Sequence, residues 1–307
     1  MNKNWIKATL LLTSTMTVMA GAIVAPSLPQ IHELFQSHEN AGLLTKLIIT
    51  LPALFIAVSA PFIGLFVDNI GRKNMLLYAL MLYGISGSAA FFIENLYLIL
   101  ITRAFLGIAI AGILIATTTL TNNYFSGKER NSFIGIQGAF IGFGGVVFIL
   151  LSGILADISW QLPFLIYGFA FPVLILSFFS LYETDKLNEI GETEEVSTQK
   201  IPFIKASLVY FFIFISIVFF FIIPVQIPFV LSRIEGVNNS MIGYAISAAI
   251  FAAVLTSLNY KFLKSRYSFP ALYFQAFLFM SVGFMIISLS YVYWQIVTGL
   301  VISGFGM

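Results

Sequence analysis

The sequence contains no cysteine and only two histidines. The missing cysteine excludes disulfides, thiol nucleophiles and thiolate metal sites. His32 and His38 share one short polar stretch, which is typical of a solvated loop rather than of a metal site. The apolar segments hold no pair of carboxylates, no histidine cluster and no nucleophile beside a base. We therefore expect no metal, no cofactor and no enzymatic activity.

Charge is also scarce, at 9% of residues. Soluble globular chains carry about 25% charged residues, so this chain lacks the means to cover a water-facing surface. Hydrophobic residues make up 59% of the chain, and 33 of them are phenylalanine. A bilayer would let these rings face outward. The composition predicts an integral membrane protein with the lipid bilayer as its partner and no nucleic-acid partner.

Long apolar runs make up most of the chain. A helix needs about 20 apolar residues to cross the hydrocarbon core, and lipid leaves only helices or closed barrels as spanning structures. The runs are continuous rather than alternating, which favours helices. The first run, from Ala8 to Leu28, is too long for a signal peptide and is taken as a spanning helix. Ten helices are predicted, at 6–28, 42–66, 74–93, 96–121, 132–155, 161–182, 202–229, 239–260, 269–290 and 292–307.

The basic residues predict the orientation of these helices. Twelve of the 15 lie at the N-terminus or in loops on the same side as it. On the other side are only Lys46 and Arg233, while Arg103 lies inside a helix. Because cytoplasmic loops carry the excess of lysine and arginine, the N-terminus is predicted to be cytosolic, in a bacterial-type inner membrane.

A polar linker divides the ten helices into six and four. We predict an N-terminal six-helix bundle at 1–182, a flexible cytosolic linker at 183–200 with solvated glutamates, and a C-terminal bundle at 201–307. Transporters often consist of two parallel halves of six helices. The second half is therefore expected to be incomplete, with two helices beyond Met307. A bundle without its partners should insert but not transport.

The loop after the second helix carries the strongest motif. It reads Gly64-Leu65-Phe66-Val67-Asp68-Asn69-Ile70-Gly71-Arg72-Lys73. Glycines at the first and eighth positions allow close helix contact and a tight turn. The motif resembles the G-x-L-x-D-x-x-G-R-K signature of the major facilitator superfamily, with Phe66 where leucine is usual. The resemblance implies a gating role for Gly64, Asp68, Gly71, Arg72 and Lys73, which in the family tie the two halves together on the cytosolic face.

Arg103 lies in the fourth predicted helix, where a charge is costly and points to function. Arg103 and Gly107 are similar to the family's R-x-x-x-G motif, which implies a part in proton coupling. A cavity-facing Arg103 is the hypothesis, and an arginine snorkelling to the outer interface is the alternative.

The fifth predicted helix carries a row of glycines. Gly135, Gly138, Gly142 and Gly145 fall on one face, which favours close helix packing. The row resembles the antiporter motif of exporters, although phenylalanine follows Gly142 where proline is usual. Gln137 and Gln226 are candidates for the lining of a substrate cavity.

Together these motifs imply an all-α major facilitator fold and a monomeric secondary transporter. The expected function is proton-coupled export of a small amphipathic compound by alternating access. No aspartate or glutamate lies in the middle of a predicted span, whereas proton coupling usually uses such a group. A solute importer or facilitator of the same fold, or a non-transporting membrane sensor, therefore stays open.

Overall fold

The computed structural model describes residues 3–183 and 203–307, without the side chains of residue 20, residue 68, residues 203–206 and residue 261. In these ranges every regular element is a helix. The elements are α1 (Lys3–Ala22), a 3-10 turn (Ala25–Ser27), α2 (Leu28–Leu34), α3 (Ala41–Ile70), α4 (Arg72–Ala89), a 3-10 turn (Ala90–Phe92), α5 (Leu96–Tyr124), α6 (Gly127–Ile158), a 3-10 segment (Leu162–Phe169), α7 (Ala170–Ser180), α8 (Phe203–Leu231), α9 (Asn239–Leu258), α10 (Tyr260–Arg266), α11 (Phe269–Ser288) and α12 (Tyr293–Phe305).

The all-helical prediction is confirmed, and each predicted helix has a counterpart within a few residues. Two predicted helices are interrupted near a proline. The first changes to 3-10 geometry beside Pro26 and continues as α2, and the sixth begins as a 3-10 segment with Pro163 in its first turn. Proline lacks the amide that a continuing α-helix needs, which favours a break at these positions, although α3 continues through Pro52 and Pro61.

Eight described helices are long and apolar enough to cross a membrane. The first and tenth predicted spans also have helical counterparts, in α1 and α12. The first predicted helix is not among the eight, and α12 has only 13 residues. Many phenylalanines face outward, as predicted from the composition. Phe92, Phe179 and Phe274 are each at least 70% exposed.

The helices form two groups that meet along α6 and α9. In the first half, α5 packs against α3 and α4, and α1 packs against α5 and α6. In the second half, α12 packs against both α9 and α11. We call the end of the molecule near Asp157, where α6 finishes and α9 starts, the Asp157 end. The opposite end holds Arg72, Lys73 and Lys264 and is called the basic end.

Candidate functional site

An apolar cavity of about 190 Å³ lies between the two halves. Its walls come from α1 and α3 of the first half and from α8 and α9 of the second, with Met307 also in contact. Among its lining residues only Thr17 has a polar side chain. The others are Val18, Gly21, Ala22, Ile49, Pro52, Ala53, Ile56, Phe220, Phe221, Ile223, Pro224, Ile246, Ala249, Ile250 and Met307. Such a site suits an apolar ligand that makes few hydrogen bonds.

The two glutamines predicted for the cavity do not line it. The Gln137 Nε2 atom donates a 2.6 Å hydrogen bond to the Ser14 Oγ atom, which joins α6 to α1. Gln226 lies on α8, but its side chain is exposed. Neither glutamine lines this cavity, and their assignment to a substrate site stays a prediction. Helical spacing identifies polar residues in a span but leaves open which neighbour each one faces.

The glycine row of α6 separates into two parts. An added Cβ at Gly142 would collide with the Val254 side chain, and one at Gly145 would lie 3.4 Å from Val18. At Gly135 and Gly138 an added Cβ would meet no atom within 4 Å. The helices therefore pack closely at Gly142 and make an ordinary van der Waals contact at Gly145, whereas the two glycines nearer the basic end lie beside open space.

The two halves approach each other closely where α6 crosses α9 near the Asp157 end. A Cβ at Gly153 would lie 2.9 Å from the Asn239 carbonyl oxygen and 3.2 Å from the Gly243 Cα atom. Only glycine allows backbones to come so near. The Asn239 Nδ2 atom donates to the Ala156 carbonyl at 3.0 Å, and the Ser247 hydroxyl donates to the Val146 carbonyl at 3.4 Å. This contact between α6 and α9, which we call the seam, is therefore both closely packed and hydrogen-bonded.

At the basic end, the signature loop contacts the end of the first half. Gly71 has φ +93°, a left-handed conformation that favours glycine. The amides of Arg72 and Lys73 donate to the Glu183 carboxylate at 2.6 and 3.0 Å, and the Lys73 Nζ atom donates to the Phe178 carbonyl at 2.9 Å. These contacts anchor the start of α4.

Two predictions concern this loop and its surroundings. Glu183, assigned from the sequence to a solvated linker, is exposed, and its carboxylate also caps α4. Its place directly after the sixth predicted helix, on the same side as the loop, was the available signal. Gly64 was expected to allow a close helix approach, but a Cβ there would meet nothing within 4 Å. The side chain of Asp68 lies outside the described residues, as does the linker beyond Glu183.

Arg103 is fully buried inside the first half and does not line the cavity. The Arg103 Nη2 atom donates to the Ser86 and Gly87 carbonyls at 3.2 and 2.9 Å. The guanidinium carbon lies 5.1 Å from the Phe164 ring centre and 5.0 Å from that of Tyr167. Full burial contradicts the snorkelling alternative, and the enclosing rings contradict the cavity-facing hypothesis. Carbonyls and aromatic faces stabilise the cation there.

Gly107, one turn further along α5, connects Arg103 to the cavity wall. A Cβ at Gly107 would lie 2.5 Å from the Pro52 carbonyl oxygen and 2.8 Å from the Phe55 Cβ atom. Pro52 is itself a lining residue. The Arg103–Gly107 pair therefore lies behind the cavity wall rather than in it.

Comparisons with known proteins agree with this architecture. The family model described as Major Facilitator Superfamily matches residues 10–307. The tetracycline resistance protein, class H, of Pasteurella multocida is 29% identical over 218 residues, covering 68% of this chain and 53% of that protein. The multidrug resistance protein MdtG of Proteus mirabilis is 28% identical over 184 residues, covering 59% and 45%. This chain therefore spans about half the length of the curated relatives it matches.

A solved structure shows the same fold. The crystal structure of a D-xylose-proton symporter superposes with a TM-score of 0.73 at 15% identity, covering 99% of this chain and 80% of that one. At this identity the likeness establishes the fold alone. With the family model matching almost every residue, the chain belongs to the Major Facilitator Superfamily.

Proposed function

We propose that this protein exports a small amphipathic compound across the membrane in exchange for protons. The observation that carries the proposal is the apolar cavity between the halves, with Thr17 as its only polar side chain. A charged or sugar-like solute would lose its hydration there without gaining polar partners. Relatives named for tetracycline and multidrug resistance add support for efflux.

We further propose that the transport cycle is alternating access. The halves approach closely near Gly153 and leave open space beside Gly135 and Gly138. This difference closes the cavity toward the Asp157 end and leaves it open toward the basic end. A rocking motion of the two halves would open the first side and close the second. A ligand moves this equilibrium only through different affinities for the two states.

Arg103 and Gly107 are proposed to contribute to proton coupling from behind the cavity wall. Arg103 holds the α4 carbonyls of Ser86 and Gly87, and Gly107 packs on Pro52. A change in the packing of α5 would therefore move Pro52, which lines the cavity. Under this proposal Arg103→Lys, which keeps the charge but loses the planar fork of donors, lowers proton-driven transport without abolishing compound binding.

Membrane vesicles of both orientations test the function. If the protein exports as proposed, inverted vesicles containing it accumulate labelled amphipathic compounds when their lumen is acidified and lose them when a protonophore is added. This result would contradict the expectation from the sequence that the chain inserts but does not transport. Phe221→Ala removes a lining ring, whereas Phe219→Ala removes a ring that packs on Phe277 and Phe284. Loss of accumulation in Phe221→Ala but not in Phe219→Ala would support the apolar cavity as the substrate site. Uptake by right-side-out vesicles instead would contradict export.

We propose a cytosolic N-terminus and a cytosolic signature loop, following the distribution of basic residues. Asn69 is exposed in this loop, and the chain has no cysteine of its own. A single Asn69→Cys variant should therefore react with an impermeant thiol reagent in inverted vesicles and not in intact cells. Labelling from outside intact cells would contradict the orientation.

A further inference from the structure

One carboxylate joins the two halves at the Asp157 end. The Asp157 Oδ1 atom accepts hydrogen bonds from the Asn239 amide at 2.8 Å and from the Ser240 amide at 3.3 Å. The Ser240 amide also lies 3.3 Å from the Oδ2 atom, and the Ser240 hydroxyl donates to Oδ2. Asp157 belongs to α6 of the first half, whereas its donors open α9 of the second half.

This arrangement differs from an ordinary helix cap. The first amides of a helix have no partner within it and are usually capped by a residue of the adjoining chain. α9 has such a local cap in Asn238, whose Oδ1 atom accepts from the Met241 amide at 2.9 Å. Asp157 caps the preceding amides from 82 residues away in sequence. The negative charge also lies at the positive end of the α9 dipole.

The position of Asp157 links these bonds to the closing of the cavity. Asp157 lies one turn beyond Gly153, where the α6 and α9 backbones approach each other closely. Further along the same seam, Ile246 and Ile250 of α9 line the cavity. Opening the cavity at this end requires α6 and α9 to separate, and this separation breaks every Asp157 bond to α9.

We propose that Asp157 is a latch between the halves, which stabilises the conformation closed at the Asp157 end by capping α9 across the seam. This inference rests on the alternating access proposed above. The latch stabilises one of two conformations, so its loss shifts their populations without altering the cavity. The side chain is exposed, so each bond is of moderate strength and can break in every cycle.

A single-cysteine reporter tests the latch without any substrate. Ala53 lines the cavity, and Ala53→Cys can be labelled with an impermeant thiol reagent in vesicles of either orientation. We expect Asp157→Asn, made in this reporter, to raise labelling from the Asp157 end about fivefold, the shift in population given by losing one helix cap. Labelling from the basic end should fall, because the conformation that is closed at the Asp157 end and open at the basic end loses population.

Two further variants serve as a control and as a graded change. Asn238→Ala weakens the start of the same helix without touching the contact between the halves, so it should change neither rate. Ser240→Ala removes one of the donors to Asp157 and should give a smaller increase. Unchanged labelling in Asp157→Asn, or an equal increase in Asn238→Ala, would overturn the latch. An increase from both sides would also overturn it, because that result indicates unfolding rather than a shift between two conformations. Each readout is independent of transport, so its outcome is separate from that of the proposed function.

Discussion

The two ends of the molecule are held together in different ways. At the Asp157 end, hydrogen bonds join the halves, from Asn239 and Ser240 of α9 to Asp157 and Ala156 of α6. At the basic end, the signature loop contacts Glu183 and Phe178 of its own half. Among the described contacts, those of Asp157 hold the two halves together, whereas those of the signature loop stabilise the first half. Substitutions at the two ends should therefore have different consequences.

The largest effect should come from the helix crossing at the Asp157 end. Gly153→Val would force side-chain atoms into the Asn239 carbonyl and the Gly243 backbone, and we expect it to lower the free energy of unfolding by about 3 kcal/mol. Gly138→Val is the matched control on the same helix, because its Cβ meets no atom within 4 Å. Thermal unfolding of the detergent-solubilised protein measures both. Equal losses in the two variants would remove the distinction between tight and open parts of the seam.

The next largest effect should come from Arg103, the buried cation of the first half. Arg103→Ala should lower the free energy of unfolding by about 2–3 kcal/mol, because it removes the bonds to Ser86 and Gly87 and the contacts with two rings. Arg103→Lys should cost less, since it keeps the charge. Unfolding in detergent again provides the measurement. If the alanine variant is as stable as the parent, Arg103 is not a packing element of the first half.

A smaller effect is expected at the basic end. Glu183→Gln weakens the cap on Arg72 and Lys73 and should lower the free energy of unfolding by about 1 kcal/mol. Glu129, which pairs with Lys3 and Lys7 at the same end, is the control, and Glu129→Gln should leave stability unchanged. Because the Glu183 contacts stay in one half, the Ala53→Cys labelling rates should not change. A change in those rates would extend the role of Glu183 to both halves.

The smallest effect should come from Gln137. Gln137→Leu breaks the bond to Ser14 and should lower the free energy of unfolding by about 0.5 kcal/mol, because the Ser14 hydroxyl also donates to the Leu10 carbonyl. Binding of amphipathic compounds should not change, since Gln137 does not line the cavity. Equilibrium binding to the purified protein tests this. Loss of binding would restore Gln137 to the site that the sequence suggested.

Much of the architecture was predictable from the order of apolar segments. Each helix from α3 to α12, apart from the short α10, has a predicted counterpart, because spanning segments satisfy their own backbone hydrogen bonds and need length and apolarity before any partner. The family was predictable from the loop at residues 64–73. Gly71 is a case where sequence and geometry agree, since a turn of φ +93° favours glycine.

The candidate site was predictable only in part. Gln137 and Gln226 were candidates because they are polar residues within predicted spans, and the structure shows that one binds Ser14 and the other is exposed. Glu183 begins the predicted linker, and its cap on α4 was not predicted. These placements depend on the rotation of each helix and on the ends of distant segments, which local patterns do not contain.

By itself, therefore, the sequence determined that this protein is a bundle of membrane helices with the signature of its superfamily. Apolar length and loop charge are local properties, and each acts on its own segment. Only the tertiary structure decided that Gly153 faces Gly243, that Arg103 lies between two aromatic rings, and that Asp157 caps a helix of the other half. Each of these contacts joins residues far apart in the chain, and its formation depends on how the helices pack against one another.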